Sequence, residues 1–154
     1  MTLSDITRQI MGQMPPNTRF QPEDATLILA RRDLLLGLED KLVQGFYNAL
    51  FAHGATQAVF TDGERPDREQ TLRQWWQRTL TGPFDQSYWD WQVLVGLVHV
   101  KRKVKNPMMI AMWGWIVNFV RQEAYEHLPS DEARDLVTAV TRLASTSTRT
   151  SLPA

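Results

Sequence analysis

Apolar residues recur along most of this chain at the three- and four-residue spacing that puts them on one side of an α-helix. No stretch alternates residue by residue as a half-buried strand would. The pattern begins with a short segment, Ser4 to Met14, that is closed by Pro15, Pro16 and Asn17. Proline removes an amide donor and restricts the residue before it. A second region starts near Pro22, with Glu23 and Asp24 suited to the positive end of a helix dipole. It runs on through Phe51, long enough for two helices bent near Gly37, and Val43, Phe46, Tyr47 and Leu50 share a face. His53 to Gly63 reads as a connection whose Phe60 is apolar enough to tuck inward.

Pro66 opens the next helix, with Leu72, Trp75, Trp76 and Thr79 on one face, and Thr81, Gly82 and Pro83 end it. Asp85 or Ser87 caps a helix through WDWQVLVGLVHV, which turns basic at Lys101 and stops before Pro107. The helix from Pro107 is apolar nearly all round in its first half, the mark of a buried element. PSDEA at Pro129 restarts a last helix with Leu136, Val140 and Leu143 as its stripe. The closing STSTRTSLPA lacks periodicity and reads as frayed. The pattern predicts an all-α chain of about six to eight helices. Residues 1–21 form an extension with a short helix, 22–146 the main domain and 147–154 a flexible tail.

Composition narrows the chemistry. Basic and acidic residues balance at 17 each, so no strong field draws the chain to nucleic acid or an anionic membrane. The KRKVK cluster at 101–105 is poor evidence for nucleic-acid binding on a neutral protein. The absence of cysteine excludes disulfides, thiolate metal sites and cysteine nucleophiles. The longest uncharged run, PMMIAMWGWIVNFV, falls short of the about 20 apolar residues a bilayer span needs. With no basic, apolar leader at the N-terminus, the expected setting is the cytoplasm. Six tryptophans crowd between Trp75 and Trp115, as a large aromatic core or as walls for a flat ligand.

One residue stands out against the apolar pattern. On a helix, His99 falls on the side of Trp91, Val95 and Val98, with Gly96 one turn back and Lys101, Arg102, Lys103 and Lys105 just beyond. A glycine inside a helix costs about 1 kcal/mol relative to alanine, so its presence suggests close approach by something. Neutral imidazole on a dry wall, a gap one turn back and cations at the rim would together seat a haem. A histidine there also serves as a core residue with internally bonded nitrogens, and KRKVK as a solvated helix end. Spacing alone does not choose. His53 and His127 read as surface or capping residues near helix ends.

The segment YWDWQVLVGLVHVKRKVKNP resembles the proximal-helix region of protoglobins and of the globin domains of globin-coupled sensors. Their hydrophobic–glycine–two-residue–histidine pattern is matched by Val95, Gly96 and His99, with a proline shortly after. GFYNALFAHG resembles the family's second globin helix, and LTGPFDQSYWDW the approach to the proximal helix. The likeness covers roughly residues 34–120. It implies a globin-like fold with an extra N-terminal helix and haem b as cofactor. His99 would then be the proximal iron ligand, and Tyr47 the distal group that reaches a bound gas. Phe60 would lie on the haem edge, with Leu72, Trp75 and Trp76 as the distal wall. Phe46, Tyr88, Val95 and Gly96 would make further haem contacts, and Lys103 would hold a propionate, although KRKVKNP is longer and more basic than the family pattern. The resemblance also implies a homodimer through the last two helices, consistent with apolar surface over Trp113–Val120. Oxygen, nitric oxide or carbon monoxide would be bound for sensing or scavenging, without turnover apart from a nitric oxide dioxygenase or peroxidase-like side activity. The rival reading is a haem-free globin-like signalling or interaction module whose cavity is filled by Trp75 and Trp76.

Overall fold

The computed structural model describes residues 1–151, and no strand occurs among them. Helix α1 (Leu3–Gly12) is started by a reciprocal cap: Thr2 Oγ1 accepts from the Asp5 amide at 3.1 Å, and Asp5 accepts from the Thr2 amide at 2.8 Å. A single 3-10 turn at Pro16–Thr18 follows the proline break. The second region is divided twice, into α2 (Pro22–Ala30), α3 (Arg32–Gly37) and α4 (Glu39–Phe51), with breaks at Arg31 and Leu38. The Leu38 break is the bend expected near Gly37; the one at Arg31 carries no glycine or proline that could announce it. Asp24 accepts from the Gln21 amide and also from Arg142 Nη1 at 2.9 Å, so this buried carboxylate ties α2 to the last helix.

The connection after α4 contains one short helix, α5 (Gly54–Gln57), before α6 (Arg65–Thr81). Helix α7 (Gln86–Lys101) starts at Asp85, whose carboxylate accepts from the Tyr88 amide at 3.0 Å. Helix α8 (Asn106–His127) and helix α9 (Ser130–Ser151) are joined by Leu128 and Pro129 and pack on each other. Helix α9 also lies against α2 and α7, while α4 packs on α6 and α8. Leu42, Val43, Leu80, Val120, Ala133, Leu136 and Ala139 are buried where these helices meet. The alanines on α9 let neighbouring helices approach closely. Gly45 does the same on α4: a methyl there would stand 2.9 Å from the Trp115 indole, so any side chain would displace that ring.

Two expectations are corrected by this packing. The segment from 147 is not a flexible tail through 151: α9 continues to Ser151, and Thr146, Ser147 and Thr150 are buried. Residues 152–154 of the expected tail lie outside the described residues. Apolar periodicity failed there because the buried side chains are alcohols. Thr150 Oγ1 donates to the Ser147 carbonyl at 2.9 Å, and Thr146 Oγ1 accepts from the Phe20 amide at 2.8 Å. The second correction concerns α8. Trp113, Ile116, Phe119 and Val120 are buried within the chain itself, so that segment offers less apolar surface than expected, left at the partly buried Trp115 and Val117. The exposed apolar residues near this part of the fold are Leu94, Leu97, Val98 and Val100 on α7 and Ile110 on α8.

The N-terminal helix is fastened to α7, where Ser4 Oγ donates to Asp90 Oδ2 at 2.5 Å. With α9 packed on α7 as well, the helix that carries His99 is held from two sides.

Candidate functional site

Two adjoining cavities, of about 280 and 230 Å³, lie between α4, α6, α7 and α8. They share Phe46, Tyr47, Thr71, Val95, His99, Met109 and Met112 as lining. The first extends to Leu72, Trp75, Trp91, Gln92, Trp113 and Ile116; the second reaches Phe60, Val98 and Val104 and ends at Arg68 and Arg102. The walls are mainly aliphatic, aromatic and thioether. That composition excludes water and suits a flat apolar ligand, with a few polar groups to orient it.

His99 is the polar group with the most definite chemistry. Its Nδ1 lies 2.8 Å from the Val95 carbonyl, one turn back on the same helix. A carbonyl only accepts, so Nδ1 carries the proton and Nε2 presents a lone pair. No hydrogen-bond partner of Nε2 occurs among the described residues. Burial pushes the imidazole pKa down from its usual value, opposed by the Val95 bond and reinforced by the Arg102 charge, so the ring is neutral at physiological pH. A neutral ring with one nitrogen fixed to a carbonyl and the other bare is how a histidine is prepared to bind a metal.

Tyr47 faces both cavities and is buried, but its hydroxyl donates to the Arg68 carbonyl at 3.0 Å. Burial raises its pKa to about 12, so the phenol keeps its proton and remains a donor. Around it, Phe46 and Phe60 pack edge-on at 5.2 and 5.9 Å between ring centroids. Phe60, expected inward from sequence, stacks on Phe51 at 5.1 Å and lines the second cavity.

The basic end of the site differs from expectation. Lys103 is exposed and lines neither cavity; its φ of 61° puts it in the left-handed region. The cause is the way α7 ends. The Lys103 amide donates to the Val100 carbonyl at 2.9 Å, and the Val104 amide to the His99 carbonyl at 3.0 Å. This paired reversal terminates a helix through one left-handed residue, here a lysine where glycine is usual. It throws Lys103 outward while Arg102 and Val104 line the second cavity.

Arg68 meets Arg102 there. Glu64 lies between them: its Oε1 is 3.5 Å from Arg68 Nε and pairs with Arg102 Nη2, while Oε2 accepts from the Thr61 amide at 2.9 Å. The Thr61 amide bond, with Arg102, holds the Glu64 pKa below the usual carboxylate value. Even so, Arg68 Nε is buried and makes no hydrogen bond among the described residues. An unused guanidinium donor on a cavity wall fits a ligand that carries a carboxylate.

Three other expected contacts also lie off the cavities. Trp76 turns its indole N–H to the Leu35 carbonyl at 3.0 Å and belongs to the core beneath α3. Tyr88 is fully buried, its hydroxyl 3.0 Å from Thr79 Oγ1 and accepting from Gln92 at 2.7 Å. That chain reaches the cavity indirectly, through Gln92 and the Trp75 indole N–H, 3.4 Å from Gln92 Oε1. Gly96 is buried but lines neither cavity, because it falls with Trp89 and Val93 on a separate buried stripe of α7. Expected residues that do line the cavities are His99, Tyr47, Phe46, Phe60, Leu72, Trp75 and Val95. Sequence reasoning missed Met109, Met112, Arg68 and the particular role of Arg102. Trp91, on the expected stripe, is covered by the Arg78 guanidinium at 4.2 Å from its ring centroid.

No helix among the described residues is long and apolar enough to cross a membrane. No curated protein matches the chain. A family model described as Protoglobin does match, over residues 14–149, and so takes in every helix that walls the cavities. With an all-α, globin-like fold and a match over most of its length, the chain belongs to the protoglobin family.

Proposed function

We propose that the paired cavities hold haem b and that the protein reversibly binds a diatomic gas on its iron. The observation that carries this reading is His99, a neutral imidazole whose Nδ1–H is committed to Val95 while Nε2 is bare on the cavity wall. Bound haem would supply a ferrous centre with one open position for oxygen, nitric oxide or carbon monoxide. The protein's part is ligation and exclusion of water. His99 would hold the metal from α7. Leu72 and Trp75 on α6 would form the opposite wall, with Phe46 and Met112 keeping the interior dry. Tyr47, still protonated, is a donor on the cavity wall that would bond to a bound gas by leaving the Arg68 carbonyl. Arg68 and Arg102 would take the propionates, displacing the Arg102–Glu64 contact. Such a site suits gas sensing or scavenging better than turnover. Among the described residues, the groups beside Tyr47 and His99 on the cavity walls include no carboxylate to act as general acid or base.

An absorption spectrum tests this. The reduced protein with hemin is expected to show a Soret band that shifts on adding carbon monoxide; a preparation that stays colourless with hemin rejects it. The haem-free module is the weaker reading, because Trp76, expected to help fill the cavity, is turned away to Leu35.

The reassigned rim gives a sharper expectation. Arg102→Gln should accelerate haem transfer to an excess of acceptor apoprotein about tenfold, equivalent to about 1.4 kcal/mol. Lys103→Gln should leave the rate unchanged. The reverse pattern would restore Lys103 as the propionate partner.

A further inference from the structure

Away from the cavities, the last turn of α8 carries a second group of ligating side chains. Glu123 points inward and is nine-tenths buried or more, at 5% exposure. Its Oε1 pairs with Lys41 from α4. Its Oε2 is buried with no hydrogen-bond partner among the described residues, a costly state for a carboxylate oxygen. This orphaned oxygen faces His127, one turn on, whose Nδ1 is 3.7 Å away. His127 Nδ1 is also 2.8 Å from the Glu123 carbonyl, so the proton sits on Nδ1 and the exposed ring has to turn for its Nε2 lone pair to meet that oxygen. Glu126 completes the group: one ligand atom from each of Glu123, Glu126 and His127 lies within 4.8 Å of the others.

We propose that Glu123, Glu126 and His127 form a binding site for a divalent transition metal ion of the zinc, nickel or cobalt type. The imidazole selects these ions over magnesium or calcium, which prefer oxygen alone. Metal–ligand distances of about 2.0–2.2 Å require the ligand atoms to draw together by about 1 Å. Glu126 and His127 are exposed and can make that movement, while Glu123 is fixed by its burial and by Lys41. The group lies at the C-terminal end of α8, where the free carbonyls favour a cation. A bound ion would give Glu123 Oε2 the partner that it lacks. The site is independent of the haem reading, since none of the three residues lines either cavity.

The full chain, stripped of metal with a chelator, is titrated calorimetrically with zinc chloride. One site per chain is expected. His127→Ala and Glu126→Gln, both at exposed positions that leave the core intact, should each weaken it by about tenfold or more. His99→Ala should leave it unchanged. Three results would overturn the proposal: no zinc uptake in the micromolar range, affinity that survives both α8 variants, or affinity abolished by His99→Ala instead.

Discussion

His99→Ala is expected to give a folded protein that no longer retains haem, with the Soret absorbance falling at least about tenfold. The fold should survive because the ring's one hydrogen bond is to Val95 in its own helix, and alanine propagates a helix better than histidine. Removing a desolvated imidazole from a cavity wall also leaves no buried polar group unpaired. Haem retention should collapse because no other imidazole lines either cavity; Met109 and Met112 offer only thioethers. Circular dichroism beside the visible spectrum separates the outcomes. An unchanged helical signal with lost colour supports iron ligation, whereas normal haem retention would end it.

The same nitrogen sets an acid limit. The folded-state pKa of His99 is lowered, so the unfolded chain binds the extra proton first as pH falls. The stability that depends on a neutral ring is therefore complete above the unfolded value of 6.5 and is lost as pH drops toward the depressed folded value. Haem should leave the protein only below the unfolded value, since a proton has to compete with iron for Nε2. A spectral pH titration whose haem-release midpoint lies above neutrality would contradict this order.

Tyr47→Phe is expected to have two separable effects. The phenol now bonds to the Arg68 carbonyl, so its loss should reduce stability by about 1 kcal/mol in denaturant unfolding. If the hydroxyl also swings to a bound gas, oxygen should dissociate about tenfold faster, a change equivalent to about 1.4 kcal/mol. A stability loss without a kinetic change would make Tyr47 an anchor between α4 and α6 rather than a gas-binding group. The geometry makes that distinction necessary, because the one proton the phenol can donate is already engaged.

The sequence carried the helical frame well where burial is apolar and periodic. The stripe of Trp91, Val95, Val98 and His99 lines the cavities as expected, and Asp85 caps α7. Failures occurred where a single helix position hides what its neighbours do. Arg102 and Lys103 look interchangeable in a basic run, yet the left-handed turn at Lys103 sends one outward and leaves the other at the cavity. Arg68 sits among polar residues of α6, and only the folded contact with the cavity reveals its unused donor. Gly96 suggested close approach to a ligand but lines neither cavity, whereas Gly45, which nothing in the pattern marked, has the Trp115 ring hard against it. Thr146 and Thr150 read as part of a frayed end because composition cannot show an alcohol bonded within or beside its helix.

The reversal that ends α7 has one more consequence. Its closing bond is accepted by the backbone oxygen of His99, and the ring of that residue is tied to Val95. Both the side chain and the main chain of the proposed iron ligand are thus pinned into the last turns of one helix. Fraying from the carboxyl side would reach position 99 as its first serious loss, so unravelling of that end and surrender of the iron should occur as a single event.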